Sequence, residues 1–184
     1  MSIQKQTRLT LTRFRAFGRN RDGATAVEFA MISFPFFALL FAIAESGMAF
    51  LNGQFLDRAV EKASRSIFTG QVSQTPGGAT AQLNKFKTEV CNSITALMDC
   101  GKLHYDVLAY QTFGNAMQPI PMKNGALDTS VLPRFNPGLS SQIVVARVYY
   151  LQPIYADLLQ TGIANSGGNN RLLVGTAVFR NEPF

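Results

Sequence analysis

One segment near the N-terminus constrains the fold of this chain more than any other. Residues 24–44 (ATAVEFAMISFPFFALLFAIA) form an apolar run in which Glu28 is the single charged side chain. As an α-helix, a segment of this length spans about 30 Å, which is roughly the thickness of the hydrocarbon core of a bilayer. Core helices of soluble proteins are rarely apolar on all sides over such a length. The segment therefore predicts a membrane-spanning helix.

The charge distribution predicts how this helix is oriented. Residues 1–23 carry six basic side chains and one acidic side chain, while the formal net charge of the whole chain of 184 residues is +6. Basic residues beside a membrane helix stay in the cytoplasm, so the N-terminus is expected inside the cell and the remainder outside. The positive charge is concentrated in the leader and is not spread over a folded domain, so we expect no nucleic-acid partner.

Three fates are open to a segment of this kind. An ordinary secretory signal peptide would be cut after the small-residue site that ends at Ala44, before Glu45, and would release the rest of the chain. An uncleaved helix would remain as a single-span anchor. A prepilin-type leader would be cut on the cytoplasmic side of the apolar segment.

A short motif at the start of the segment favours the third fate. Gly23 precedes the apolar residues, and Glu28 stands five positions after it. This arrangement resembles the processing site of type IV-like prepilins. Residues 22–30 (DGATAVEFA) are similar to the start of the TadE-like minor pilins, or pseudopilins, of the Flp/Tad (tight adherence) pilus system, and the similarity is clearest over residues 19–60.

The resemblance implies a function and a location. A prepilin peptidase would cut between Gly23 and Ala24, and the chain would take part in pilus assembly and cell adhesion without catalysing a reaction. It would be a single-pass protein of the bacterial inner membrane, with a cytoplasmic N-terminus and a periplasmic C-terminal domain that can enter an extracellular pilus. The implied partners are the peptidase, other pilus-assembly components and pilins, and inner-membrane lipid.

The chemistry of Glu28 agrees with this interpretation. A charged side chain inside a membrane helix costs about 2.5–3.5 kcal/mol on insertion scales, so this carboxylate needs a compensating partner. Cleavage after Gly23 would create an α-amino group on Ala24, one helical turn from Glu28 and at the positive end of the helix dipole. The resemblance implies that Glu28 pairs with the N-terminal amine of a neighbouring subunit. The alternative is an unpaired carboxylate that reaches to the membrane interface.

The rest of the chain predicts an α+β fold. Apolar residues recur at helical spacing beyond the membrane segment, which predicts an amphipathic stalk helix, and a second helix is expected over 81–98. Three segments rich in Val, Leu and Tyr predict a small antiparallel sheet, at 103–110, 141–151 and 172–179. The middle segment is almost continuously apolar, which indicates a central strand. The predicted organisation is a basic leader (1–23), a transmembrane helix (24–45), the stalk helix (46–70) and an extracytoplasmic domain (71–184).

The two cysteines predict a disulfide. Cys91 and Cys100 cannot build a four-ligand zinc site alone, and a site completed by His104 would still lack a ligand. In an exported domain the compartment is oxidising, so a bond between the two cysteines is favoured over a pair of reduced, buried thiols.

Candidate catalytic residues are few. A Ser-His-Asp or Cys-His site would have to use His104, the single histidine, which lies in a strand pattern where a surface or cross-strand role is expected. The sequence contains no phosphate-binding loop, dinucleotide fingerprint or zinc-protease motif. We therefore expect no enzyme, no cofactor and no metal. Two alternatives remain: an envelope binding protein released after Ala44, and an envelope enzyme built around His104.

Overall fold

The computed structural model describes residues 23–94, 98–116, 118–155, 162 and 164–184. Residues 1–22 of the predicted leader lie outside the described residues. The chain divides into two compact units, with the boundary between Ala42 and Ile43.

Helix α1 is one continuous helix, Ala24–Phe68. Within the part of the chain that the structure describes, it is the one helix long and apolar enough to cross a membrane. In the first unit its large side chains are exposed, among them Phe29, Ile32 and Phe34. Pro35 lies inside the helix, as membrane helices tolerate. The predicted membrane and stalk helices are thus consecutive parts of α1, and the division at 45/46 stays a prediction.

In the second unit, α1 contributes one buried stripe to the core. The buried residues recur three or four positions apart and are Leu56, Ala59, Val60, Ala63 and Ile67. Helix α2, Gly78–Cys91, adds Phe86 and Val90. The predicted second helix over 81–98 extends too far, because α2 ends at Cys91. The backbone N–H groups of Ser93 and Ile94 both turn back to the Val90 carbonyl, which closes the helix.

Four strands form the main sheet in the spatial order β4–β1–β5–β6. They are β1 (Leu103–Tyr110), β4 (Arg134–Phe135), β5 (Ile143–Pro153) and β6 (Asn170–Arg180). Between β1 and β4 lie a short helix, α3 (Phe113–Ala116), and a two-stranded pair, β2 (Met122–Lys123) and β3 (Ala126–Leu127).

The α+β class is confirmed, but the sheet is mixed where a purely antiparallel one was predicted. Strands β1, β5 and β6 pair antiparallel, with the predicted central strand in the middle. Strand β4 pairs parallel to β1, with Asp106 opposite Arg134. The reason is that β4 comes at the end of a long proline-rich connection, which returns along β1 and places β4 beside the middle of β1 in the same direction.

Gly175 on β6 allows α1 to pack closely on the sheet. A Cβ atom at this position would lie 2.9 Å from the backbone oxygen of Leu56 and 2.9 Å from a methyl group of Val60. Because a helix carbonyl cannot turn away, we expect Gly175→Ala to lower the free energy of unfolding by about 1–3 kcal/mol. Urea unfolding measures this. Gly114→Ala is the control, since its Cβ would meet nothing within 4 Å. Equal stability of the two variants would contradict the close packing.

Candidate functional site

The predicted processing site lies at the start of α1. Gly23 directly precedes the helix, which begins at Ala24, and both residues are exposed. A Cβ atom at Gly23 would meet nothing within 4 Å, and the backbone there has no positive φ. Neither packing nor backbone conformation therefore requires a glycine at this position. A processing enzyme that requires glycine before the bond it cuts would account for Gly23, and this requirement stays a prediction.

Glu28 lies one helical turn after Ala24 and is exposed. Within the described part of the chain, no hydrogen bond or ion pair of its carboxylate is found. Its apolar neighbours on the same face of α1 are the exposed side chains of Met31 and Ile32, three and four residues further on. Among the described residues, the carboxylate thus lies on an exposed and largely apolar face of α1. Its proposed role in assembly stays a prediction.

The disulfide prediction is confirmed. Cys91 ends α2, Cys100 begins a short 3₁₀ turn before β1, and the two are bonded with their Cα atoms 5.8 Å apart. The bond ties the end of the helix to the start of the first strand. The closed loop is short, so it stabilises the fold by at most about 3 kcal/mol. Across the described residues, no cluster of three or more His, Cys, Asp or Glu side chains could hold a metal ion.

His104 lies on β1 opposite Tyr149 of β5. It is partly buried, and this burial lowers its pKa below the ordinary value of 6.5. Among residues 23–94, 98–116, 118–155, 162 and 164–184, no side chain forms a hydrogen bond with its imidazole. Among the described residues, the structure therefore shows no hydrogen-bonded pair of the kind that a Ser-His-Asp or Cys-His site requires.

A buried polar network that sequence reasoning missed ties three strands together. Arg134 of β4 donates two hydrogen bonds to Asp106 of β1, from Nε at 2.8 Å and from a terminal nitrogen at 2.6 Å. The hydroxyl of Tyr149 on β5 donates to the same carboxylate at 3.1 Å. The Asp106 side chain is 3% exposed and that of Arg134 is 35% exposed. The single acid within an otherwise apolar and aromatic strand was the one sequence signal for this network.

The buried tyrosines predict a loss of stability in alkali. Burial raises the pKa of Tyr105 and of Tyr149 from 10.0 to about 12. Between these values the unfolded chain binds fewer protons than the folded one, so stability falls as the pH rises. We expect the free energy of unfolding to decline above about pH 10. Urea unfolding at several pH values measures the slope. Tyr149→Phe should flatten it, whereas Tyr155→Phe, at an exposed position, should leave it unchanged. The same slope in both variants would contradict this account.

The comparison with known proteins gives a family match that lies almost wholly on α1. The family model described as TadE-like protein matches residues 23–65, so the match begins at Gly23 and ends within the same helix. The resemblance predicted for the N-terminal region is thereby confirmed. No curated protein and no solved structure matches the chain. A TadE-like region together with a helix able to anchor the chain in a membrane fits a protein related to the Tad pilus and its assembly components.

Proposed function

We propose that this chain is a minor pilin or pseudopilin that takes part in the assembly of Flp/Tad pili. It is anchored in the bacterial inner membrane by α1, and it acts by assembly and not by catalysis. The observation that carries the proposal is the TadE-like match, which begins at Gly23 and covers the apolar helix. Adhesion of the cell is then a consequence of pilus formation.

Processing is the first step of the proposed mechanism. A prepilin peptidase cuts the exposed peptide bond between Gly23 and Ala24, where a residue without a side chain leaves room for the catalytic groups. The new α-amino group of Ala24 is then one turn from Glu28 on the same helix. The apolar surface of α1 holds the chain in the membrane and is available to the helices of other pilins.

The second unit is proposed to act in the periplasm with other pilus-assembly components. The disulfide between Cys91 and Cys100 supports this location, because such bonds persist in oxidising compartments.

The Gly23→Leu variant tests the processing step. We expect it to stay in the membrane as a chain that retains residues 1–23, because the leucine side chain fills the space the peptidase needs. Immunoblotting and intact mass of membrane extracts measure this. Gly47→Leu, within α1, is the control, because a Cβ there also meets nothing within 4 Å, and this variant should mature normally. If the Gly23→Leu chain matures to the wild-type size, the proposed cleavage site is wrong.

A further inference from the structure

The exposed apolar surface of α1 extends past the end of the predicted membrane segment. After Glu45, the next charged residue along the helix is Asp57. In the uncharged interval, Met48, Phe50 and Leu51 are exposed, Phe50 to 68%. Residues 46–51 measure about 9 Å along the helix, a little more than the depth of one headgroup layer, which is about 5–7.5 Å. The three exposed apolar side chains therefore lie at the depth along α1 where the membrane interface is expected.

One end of the sheet lies beside this part of α1. The side-chain amide of Asn52 donates a buried hydrogen bond of 2.9 Å to the Gln152 side chain near the end of β5. Gln152 is paired in the sheet with Arg171 near the start of β6. The guanidinium of Arg171 lies over the Phe50 ring, 5.9 Å from its centroid. The strands thus place a cation against an exposed aromatic ring of the helix.

Tyr155 lies at the same end of the sheet, two residues after the end of β5. Its backbone N–H donates a hydrogen bond to the carboxylate of Glu45, the residue that directly follows the apolar segment in the sequence. Its side chain is 72% exposed. Tyrosine is enriched at membrane interfaces because its apolar ring and polar hydroxyl suit the headgroup level, and arginine side chains reach to the same level.

We propose that a juxtamembrane surface, formed by Met48, Phe50, Leu51, Tyr155 and Arg171, lies in the headgroup layer of the outer leaflet of the membrane that α1 spans. The aromatic and aliphatic side chains enter the layer, and Arg171 faces lipid phosphate. The occupant is the bilayer itself, because the surface follows the membrane segment directly along the chain. The inference rests on the membrane anchoring in the proposed function and not on processing at Gly23.

The absence of tryptophan from the sequence allows a direct test. The full chain is placed in nanodiscs of equal parts phosphatidylglycerol and phosphatidylcholine, as the Tyr155→Trp or the Phe50→Trp variant. Phe113→Trp is the control, since Phe113 is 61% exposed on α3 and follows the opposite end of the sheet. Quenching by lipids brominated near the headgroup, and by aqueous acrylamide, is measured by tryptophan fluorescence.

We expect the Tyr155→Trp and Phe50→Trp variants to be quenched by brominated lipid and to be at least about twofold less quenched by acrylamide than the control. Equal acrylamide quenching in all three would overturn the inference while leaving the anchor intact. A chain that does not enter nanodiscs at all would overturn the anchor as well.

The role of Arg171 has a separate readout. In the Tyr155→Trp background, Arg171→Gln should reduce quenching by brominated lipid in the anionic nanodiscs, and should do so less in phosphatidylcholine alone, because the charge then has weaker attraction to the surface. Arg180→Gln, at the other end of the same strand, is the matched control. Identical lipid quenching with Arg171→Gln and Arg180→Gln would overturn the contact with phosphate.

Discussion

A Glu28→Val chain is expected to insert into the membrane, to be processed and to remain stable, yet to support no pili. Insertion should become easier, since the change removes a charge that costs about 2.5–3.5 kcal/mol inside the bilayer. Assembly should fail because the Ala24 amine of a neighbouring subunit loses its carboxylate partner in a low-dielectric environment. Pilus yield and surface adhesion measure the effect, and fractionation confirms that the chain is still in the membrane.

Two further variants distinguish the loss of the Glu28 carboxylate from other effects of a substitution in this part of α1. Glu28→Asp keeps the charge on a side chain one methylene shorter and should restore part of the pilus yield. Val27→Leu, at the exposed apolar neighbour, should leave assembly unchanged. Wild-type adhesion and pilus yield in the Glu28→Val strain would remove the main physical support for a pilin-like assembly role.

Arg134→Ala is expected to cause the largest loss of stability in the sheet domain. It removes the charged partner of Asp106, whose side chain is 3% exposed and cannot be solvated by water. Breaking a buried ion pair in this way costs about 3–5 kcal/mol, and we expect a value near the lower end because Arg134 is itself partly exposed. Urea unfolding followed by circular dichroism measures the difference.

The control for this prediction is the double variant Asp106→Asn/Arg134→Ala. Without a buried charge left behind, it should recover part of the stability lost in Arg134→Ala. Arg58→Ala, at an exposed position on α1, should change the free energy of unfolding by no more than about 0.5 kcal/mol. A single Arg134→Ala variant as stable as Arg58→Ala would show that the network does not hold β4 in place.

The elements predicted correctly are those whose sequence pattern lies within one continuous stretch of the chain. Helix α1 combines an apolar run with a helical repeat, and both signals extend over many turns. Strand β5 is almost continuously apolar, so a central position followed directly. The disulfide followed from the compartment that the membrane segment implied.

The elements that were missed depend on contacts between distant residues. Strand β4 has only two residues, and it pairs parallel to β1 at the position where Arg134 forms an ion pair with Asp106. The end of α2 is set by a turn at Ser93 and not by a break in the apolar pattern. The same holds for the candidate sites. The Gly23 and Glu28 motif is contiguous in the sequence, whereas the juxtamembrane surface joins residues of α1 to Tyr155, just after β5, and to Arg171, at the start of β6.

The N-terminus of the mature protein tests the central claim most directly. The protein is extracted from the membranes of pilus-forming cells, and its first residues are determined by N-terminal sequencing together with intact mass. The proposed function predicts a chain that begins at Ala24 and contains the disulfide between Cys91 and Cys100. A chain that begins at Glu45 would instead indicate a released binding protein, and a chain that begins at Met1 would indicate an uncleaved anchor, and either result would contradict assembly as a processed minor pilin.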